Sequence, residues 1–345
     1  MTVPQEEPMN VPSIQTKIET WQVIVAKYQN PQRRKSIGQL LNTLIPYALI
    51  WFAIEKCLSI SWWLAIPLVF IAAGLLVRVF IIFHDCGHGA FFKSLKANNF
   101  WGFVTGILTF TPYHYWRHEH AIHHSHAGDL DHRGVGEIWT MTVNEYLKSS
   151  RWVRVKYRLA RNPFFLFIIG PAFLFLIVHR FTSKKASARE RKSVHLTNLG
   201  ILVMALLMSL LFGFKTYLLV QLPIIMIAAS AGVWLFYVQH QFEGVYWERN
   251  VHWDYVTEAL KGSSFLKLPK VLQWFTGNIG FHHIHHLSPR IPNYFLERCY
   301  KENPMFQEIK PITFLESFKS LTFRLWDEQH NRLVGFDDLR KLKLC

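Results

Sequence analysis

Three histidine clusters hold the residues best suited to chemistry: His84-Asp-Cys-Gly-His88, His120-Ala-Ile-His123-His124 and His282-His283-Ile-His285-His286. Read as HxxxH, HxxHH and HxxHH, they offer eight imidazoles at helical spacing (His84, His88, His120, His123, His124, His282, His285 and His286). On an α-helix, residues four apart differ in direction by about 40° and residues three apart by about 60°. Each set therefore projects its rings into one sector. His118, about 160° from His120, and His283, about 100° from His282, fall outside that sector and are expected to be surface or supporting groups. Eight neutral nitrogen donors exceed the four that a structural zinc takes and suit a pair of redox metals.

The elements that must position these clusters are apolar. Half of the 345 residues are hydrophobic, with 28 Phe and 13 Trp, and five long apolar runs lie near 37–58, 61–83, 163–181, 196–214 and 216–238. Runs of about 20 residues indicate a polytopic membrane protein. All three clusters must share one side of the bilayer to form one site. Arg33, Arg34 and Lys35 hold the N-terminal end in the cytosol, so 37–58 crosses outward and 61–83 returns to deliver the first cluster. A shorter run at 100–111 cannot span about 30 Å and is read as interfacial or re-entrant. Three runs then separate the second cluster from the third, and an odd number of crossings would split the site. The segment after His179 carries Arg180, Lys184, Lys185, Arg189, Arg191 and Lys192 and belongs in the cytosol. Run 163–181 is therefore expected to enter and leave on one side, bending at Gly170-Pro171. The expected fold is all-α and integral to the membrane, with four spanning helices, interfacial or re-entrant helices and a cytosolic cap. His240 follows the last spanning run at the depth of the clusters and is a candidate ninth ligand. His114, His126, His132, His179, His195, His252 and His330 have no partner at ligand spacing and read as ordinary polar residues. Asp85, Glu119, Asp129, Asp131, Glu243 and Asp254 are available to orient ligand rings.

The net charge of +15 is divided among loops between apolar runs, and no nucleic-acid-binding motif accompanies it, so nucleic acid is not an expected partner. Cys57, Cys86, Cys299 and Cys345 form no CxxC pair and are expected to be reduced. Cys86 points away from His84 on a helix and reads as a packing residue. Residues 1–30 contain no apolar signal core, so the first membrane helix is expected to direct insertion itself.

His84-Asp-Cys-Gly-His88, Trp116-Arg-His-Glu-His-Ala-Ile-His-His124 and Gly277-Asn-Ile-Gly-Phe-His-His-Ile-His-His-Leu-Ser-Pro289 resemble the three histidine boxes of the membrane fatty-acid desaturases. The segments 127–140 and 234–243 resemble the bacterial acyl-lipid desaturases, notably the delta-5 type. The resemblance implies a non-haem di-iron centre with nine ligands, carried here to His84, His88, His120, His123, His124, His240, His282, His285 and His286. An asparagine that contributes upstream of the ninth histidine in a relative has no clean counterpart. Phe236 holds the comparable offset, and Asn278 reads as a turn residue. The expected organisation is a cytosolic segment 1–36, a membrane desaturase domain 37–330 and a tail 331–345, in a multi-pass cell-membrane protein with both termini and the active site cytoplasmic.

What the resemblance implies is formation of a cis double bond in the acyl chain of a membrane phospholipid, using O2 and two electrons. The sequence has no haem-binding HPGG segment and no GxGxxG fingerprint. The expected electron donor is a separate acidic carrier such as ferredoxin or flavodoxin, drawn to a cationic face. Trp101, Phe103, Trp116, Trp139 and Phe281 could line an acyl tunnel, although packing or an interfacial belt is the better account of each. The competing readings are a di-iron membrane hydroxylase and, more remotely, a metal transporter, whose site would sit near the bilayer midplane.

Overall fold

A computed structural model describes residues 21–339. Four helices are long and apolar enough to cross a membrane: α1 (Arg33–Ile60), α2 (Trp62–Gly87), α6 (Ala188–Phe212) and α7 (Phe214–His240). They form two tight hairpins. Ser61, extended at φ −161°, joins the first pair. Gly213 joins the second at φ +83°, a left-handed conformation that favours glycine. At 28 residues α1 is about 42 Å long, more than a bilayer core requires. Helices therefore outrun the apolar runs at the cap end. His84 lies inside α2, His88 caps it, and His240 is the last residue of α7.

The second half of α2 is buried on nearly every side, with Leu75, Leu76, Val79, Ile82, Phe83 and Cys86 all in the core. It packs against α1, α7 and the short α3 (Leu95–Leu108). The outward faces of the bundle remain apolar. Leu41, Ile45, Leu49 and Phe52 on α1, and Leu199, Leu202, Leu206 and Leu210 on α6, are exposed, as a lipid-facing surface requires. The cap adds α4 (Tyr113–His126), α5 (Arg151–Ala160), α8 (His282–Leu287) and α9 (Asn293–Glu302).

At 14 residues, α3 is too short to cross. The segment Phe165–Arg180 is bent by 64° against α5. The bend falls at residues 161–164, not at Gly170-Pro171 as expected. There the chain stays helical, because a π-turn over Phe165–Ile169 widens the helix and makes room for the Pro171 ring. Arg161 holds the bend from within. Its buried guanidinium donates to the Tyr237 hydroxyl, to Gln241 Oε1 and to the Phe323 carbonyl.

Short strands stitch the cap together. Met141–Thr142 pairs in parallel with Leu325–Asp327, which pairs antiparallel with Arg332–Val334. Leu266–Lys267 pairs in parallel with Ile312–Thr313. Residues 331–339 thus belong to the folded body. So does the stretch before α1, where Val25 and Tyr28 pack with Phe295 and Leu296. Residues 1–20 and 340–345, including Cys345, lie outside the described residues. Cys57, Cys86 and Cys299 are unbridged.

Gly280 is a point of close backbone approach. The Leu266 amide donates to its carbonyl at 2.8 Å, and a Cβ at this position would run into the Leu266 carbonyl oxygen. Gly280→Ala is expected to destabilise the protein by about 1–3 kcal/mol, read as a fall in melting temperature in detergent. An unchanged melting temperature would show that the strand yields freely.

Candidate metal centre

The nine candidate ligands come from four helices, and local packing aims each of them. His84 and His88 ride on α2. Tyr113, at the start of α4, donates its hydroxyl to the Cys86 carbonyl at 2.6 Å and ties α4 to α2 beside the first box. Trp116 lies in the space that Gly87 leaves free and stacks on His120 with centroids 4.3 Å apart. That fixes the face presenting His120, His123 and His124. α8 is set by the stacked rings of Phe265 and Phe281 and by bonds from Ser264 N to the Gln239 carbonyl and from Gln239 Nε2 to the Ile279 carbonyl. The third box is thus bound to the last turn of α7, which carries His240.

The rings converge as two sets. Nitrogens of His84, His88, His120, His124 and His285 lie within 4.8 Å of one another, and so do those of His123, His240 and His286. His282 joins the second set, with its Nε2 3.0 Å from that of His240. Adjacent Nε2 atoms are 3.0 Å apart for His88 and His120, 3.1 Å for His120 and His124, 3.1 Å for His124 and His285, and 3.2 Å for His123 and His240. Two nitrogens at right angles on one ion, each about 2.1 Å from it, are separated by about 3 Å. The donor set therefore has the spacing of neighbouring ligands on a metal.

Protonation fits the same reading. Burial, reinforced by neighbouring imidazoles, holds His88, His120, His124, His282, His285 and His286 well below the ordinary imidazole range. Burial lowers His123 to about 3. Neutral imidazole is the form that binds a metal. Asp85 Oδ1 lies 3.3 Å from His84 Nδ1, Glu258 Oε2 3.4 Å from His286 Nδ1, and Glu137 Oε1 3.9 Å from His123 Nδ1. Protons held on Nδ1 of His84 and His286 by Asp85 and Glu258 leave the Nε2 lone pairs of those rings facing the other imidazoles. A cation between them resolves that repulsion. Glu258 has the same need: burial pushes its carboxyl far above the usual range, and among the described residues no Lys or Arg pairs with it. Two dications would supply the missing counter-charge.

Of the six acids expected to orient rings, Asp85 alone does so. Glu119 sits by Tyr115, Asp129 bonds His132 and Asn250, Asp131 and Glu243 pair with Arg249 and Lys319, and Asp254 caps a turn at Thr257. Glu258 takes the role instead, whereas Glu137, pushed up by burial to about 8, stands near His123 but beyond hydrogen-bonding distance. His118 points away and pairs with Glu190 at 2.6 Å. His283 is fully buried behind the site against Phe265 and Phe306, contrary to a surface placement. Among the candidate tunnel residues, Phe281 is core, Trp139 is exposed and Trp116 covers the ligands. Phe236, at the offset where a relative carries an asparagine, lies at the site, its ring 5.0 Å from both His123 and His240. Asn278 adopts φ +61° in the turn before the third box and donates to the Asn293 carbonyl. It is a turn residue.

Two outcomes follow. Glu258→Gln is expected to weaken metal binding by about 10–100-fold, read by chelator competition; unaltered affinity would remove Glu258 from any ligand-orienting role. Burial lowers His283 from 6.5 to about 3, so below pH 6.5 the unfolded chain takes up a proton that the folded chain refuses. This contribution to stability is complete above pH 6.5 and declines as pH falls toward 3. The melting temperature of metal-free protein should therefore drop on acidification from pH 7 to pH 5 and drop less in His283→Phe. Equal slopes would exclude His283 as a source.

The family model described as "Fatty acid desaturase" matches residues 60–312. The chain is 50% identical to "Fatty acid desaturase" of Bacillus subtilis (strain 168) over 318 residues, which is 92% of this chain and 90% of that protein. It is 26% identical to "sn-1 oleoyl-lipid 12-desaturase" of Synechocystis sp. over 261 residues, 70% of each chain. It is 28% identical to "sn-2 acyl-lipid omega-3 desaturase (ferredoxin), chloroplastic" of Helianthus annuus over 249 residues, 68% of this chain and 54% of that protein. With the histidine boxes gathered at one end of a four-helix membrane bundle, the chain belongs to the fatty acid desaturase family.

Proposed function

We propose that the chain desaturates acyl chains of membrane phospholipid, with two irons held by His84, His88, His120, His123, His124, His240, His282, His285 and His286, and with O2 as co-substrate. The observation that carries this reading is the convergence of nine imidazoles into two adjacent sets in a buried site. When bound, the iron pair supplies oxygen activation strong enough to break an unactivated C–H bond, which acid–base groups cannot do. Burial keeps His88, His120, His123, His124, His282, His285 and His286 unprotonated. Asp85 and Glu258 face Nδ1 of His84 and His286 and favour Nε2 as the donor atom of those two rings. Trp116 and Phe236 cover the rings and exclude water. A cavity of about 20 Å³ beside His123 and His240, walled in part by Ile138, Phe236 and Trp247, lies against the ligands and would have to widen to admit a chain. Rigid walls matter because successive methylenes are chemically almost alike, and register alone selects among them.

The relatives named for acyl-lipid substrates support a lipid-borne chain, and the ferredoxin in the name of the Helianthus protein supports a small soluble electron carrier. An acidic carrier, ferredoxin or flavodoxin, suits the net charge of +15. We place the histidine side and both termini in the cytosol, at the cell membrane. The basic segment 184–192 lies at the histidine end, since Glu190 and Ser193 contact His118 and His114 of the second box, and basic segments stay inside.

Expression in a host without this activity, followed by mass spectrometry of its lipids, tests the proposal. The expected product lacks two hydrogens and is absent with His124→Ala. A product that gains an oxygen would indicate a hydroxylase. Full activity of His124→Ala would remove that residue from the ligand set.

A further inference from the structure

A second cavity, of about 520 Å³, opens between the first turns of α1, the middle of α2, and the chain on either side of the third box. Its wall is charged and polar, with Lys35, Gln39, Arg78, Lys270, Asn293 and Glu297 as the principal groups. The established chemistry of the family needs none of these side chains as metal ligands.

Arg78 is the unusual member. It lies within a membrane-spanning helix and is only 7% exposed. Its Nε donates to Thr43 Oγ1 at 3.1 Å, one terminal nitrogen donates to the Trp274 carbonyl, and its face lies 4.1 Å from the Trp274 ring. Among the described residues its other terminal nitrogen has no hydrogen-bond partner, and no carboxylate pairs with it. A buried cation is costly without a counter-ion, and inside a membrane protein it marks a site that expects one. Lys35 has no carboxylate partner either and rests 4.3 Å over the Phe295 ring. Lys270, by contrast, is matched by Glu297 at 2.5 Å. The cavity thus keeps two unmatched cations. It also holds an unmatched acceptor: Gln39 is 4% exposed, and its Oε1 has no partner among the described residues.

Depth identifies the anion. Arg78 follows Trp62, the first residue of α2, by 16 residues, or about 24 Å of helix. Measured against a hydrocarbon core of about 30 Å, that puts its guanidinium close to the histidine-side interface, where lipid phosphates sit. Below Gly38 and Asn42 on the cavity wall, α1 continues with exposed Leu41 and Ile45, a stripe along which acyl chains can lie. The cavity is also wired to the metal centre. Gln39 Nε2 donates to Asn293 Oδ1 at 3.0 Å, Asn293 donates twice to Asp85 Oδ2 at 2.6 and 2.8 Å, and Asp85 reaches His84.

We propose that this cavity binds the headgroup of a membrane glycerophospholipid, with its phosphate on Arg78 and Lys35 and a headgroup hydroxyl or ammonium on Gln39 Oε1. Only the statement that this lipid is of the substrate class rests on the function proposed above; the binding stands apart from it.

Native mass spectrometry of the full chain in detergent, with phosphatidylglycerol as probe and inorganic phosphate as competitor, tests the site. A Cβ at Gly38 would meet nothing within 4 Å, and tryptophan favours a helix more than glycine does. Gly38→Trp should therefore fill the cavity, keep the melting temperature and metal content, and lose the bound lipid. Lys35→Gln and Arg78→Gln should each weaken retention roughly tenfold, as expected for one charge-assisted hydrogen bond. Lipid retained equally by Gly38→Trp and Lys35→Gln would overturn the proposal. Displacement of the lipid by millimolar inorganic phosphate would also overturn it, because the site would then serve a soluble anion. Iron content and lipid products measured on the same samples separate the two claims. Unchanged lipid retention with iron and turnover intact sinks the headgroup site alone, whereas an active iron-free protein sinks the iron reading alone.

Discussion

Imidazole nitrogens from nine rings, seven of them within about three ångströms of a neighbour, cannot rest together unless a cation sits among them. The rest of the structure meets that constraint. Water would screen the repulsion and protonate the rings, so the site is buried at the ends of α2 and α7 and covered by Trp116 and Phe236. Protons on the far nitrogens would be lost to the wrong tautomer without acceptors, and carboxylates stand behind His84 and His286. The cap exists to deliver α4 and α8 to helix ends that the bilayer already holds in place.

The division of labour follows from what a membrane permits. Within the bilayer the backbone must satisfy itself, and two hairpins do so with little cost in specificity. Polar precision is confined to the cap. There Arg161 draws the bent segment, α7 and the chain near Phe323 to one guanidinium, and short strands join stretches far apart in sequence. The buried tyrosines act in the same way. Tyr113 ties α4 to α2, and Tyr255 donates to the carbonyl of His286 behind α8.

Sequence made the site legible where chemistry obeys helical period. The three boxes share their faces as spacing requires, and the parity of crossings, constrained by the need for one site, yields the four spanning helices found. Relations made by tertiary folding could not be read this way. Glu137 comes fourteen residues after His123 on an irregular loop, and Glu258 comes from a π-helical turn twenty-eight residues before His286. Neither has a periodic relation to the ring beside it. Nearby acids such as Glu119 and Asp254 looked equally suitable until folding turned them elsewhere. His283 points away from the metal nitrogens as its angle demands, but the angle could not reveal that the back of α8 is buried too. The bend at residues 161–164 escaped notice because Gly170-Pro171 is the stronger helix-breaking signal, and a π-turn absorbed it.

α4 and α8 each contribute adjacent histidines to different sets: His124 and His285 to the first, His123 and His286 to the second. Each membrane hairpin, in contrast, feeds one set only, through His84 and His88 or through His240. The spacing between the two sets is therefore gauged by single peptide units in two short helices, the stiffest rulers a polypeptide has. Thickening, thinning or shear of the surrounding lipid acts on the hairpins and is taken up at their ends. The spacing of the two ligand sets is mechanically insulated from the very medium in which the enzyme works.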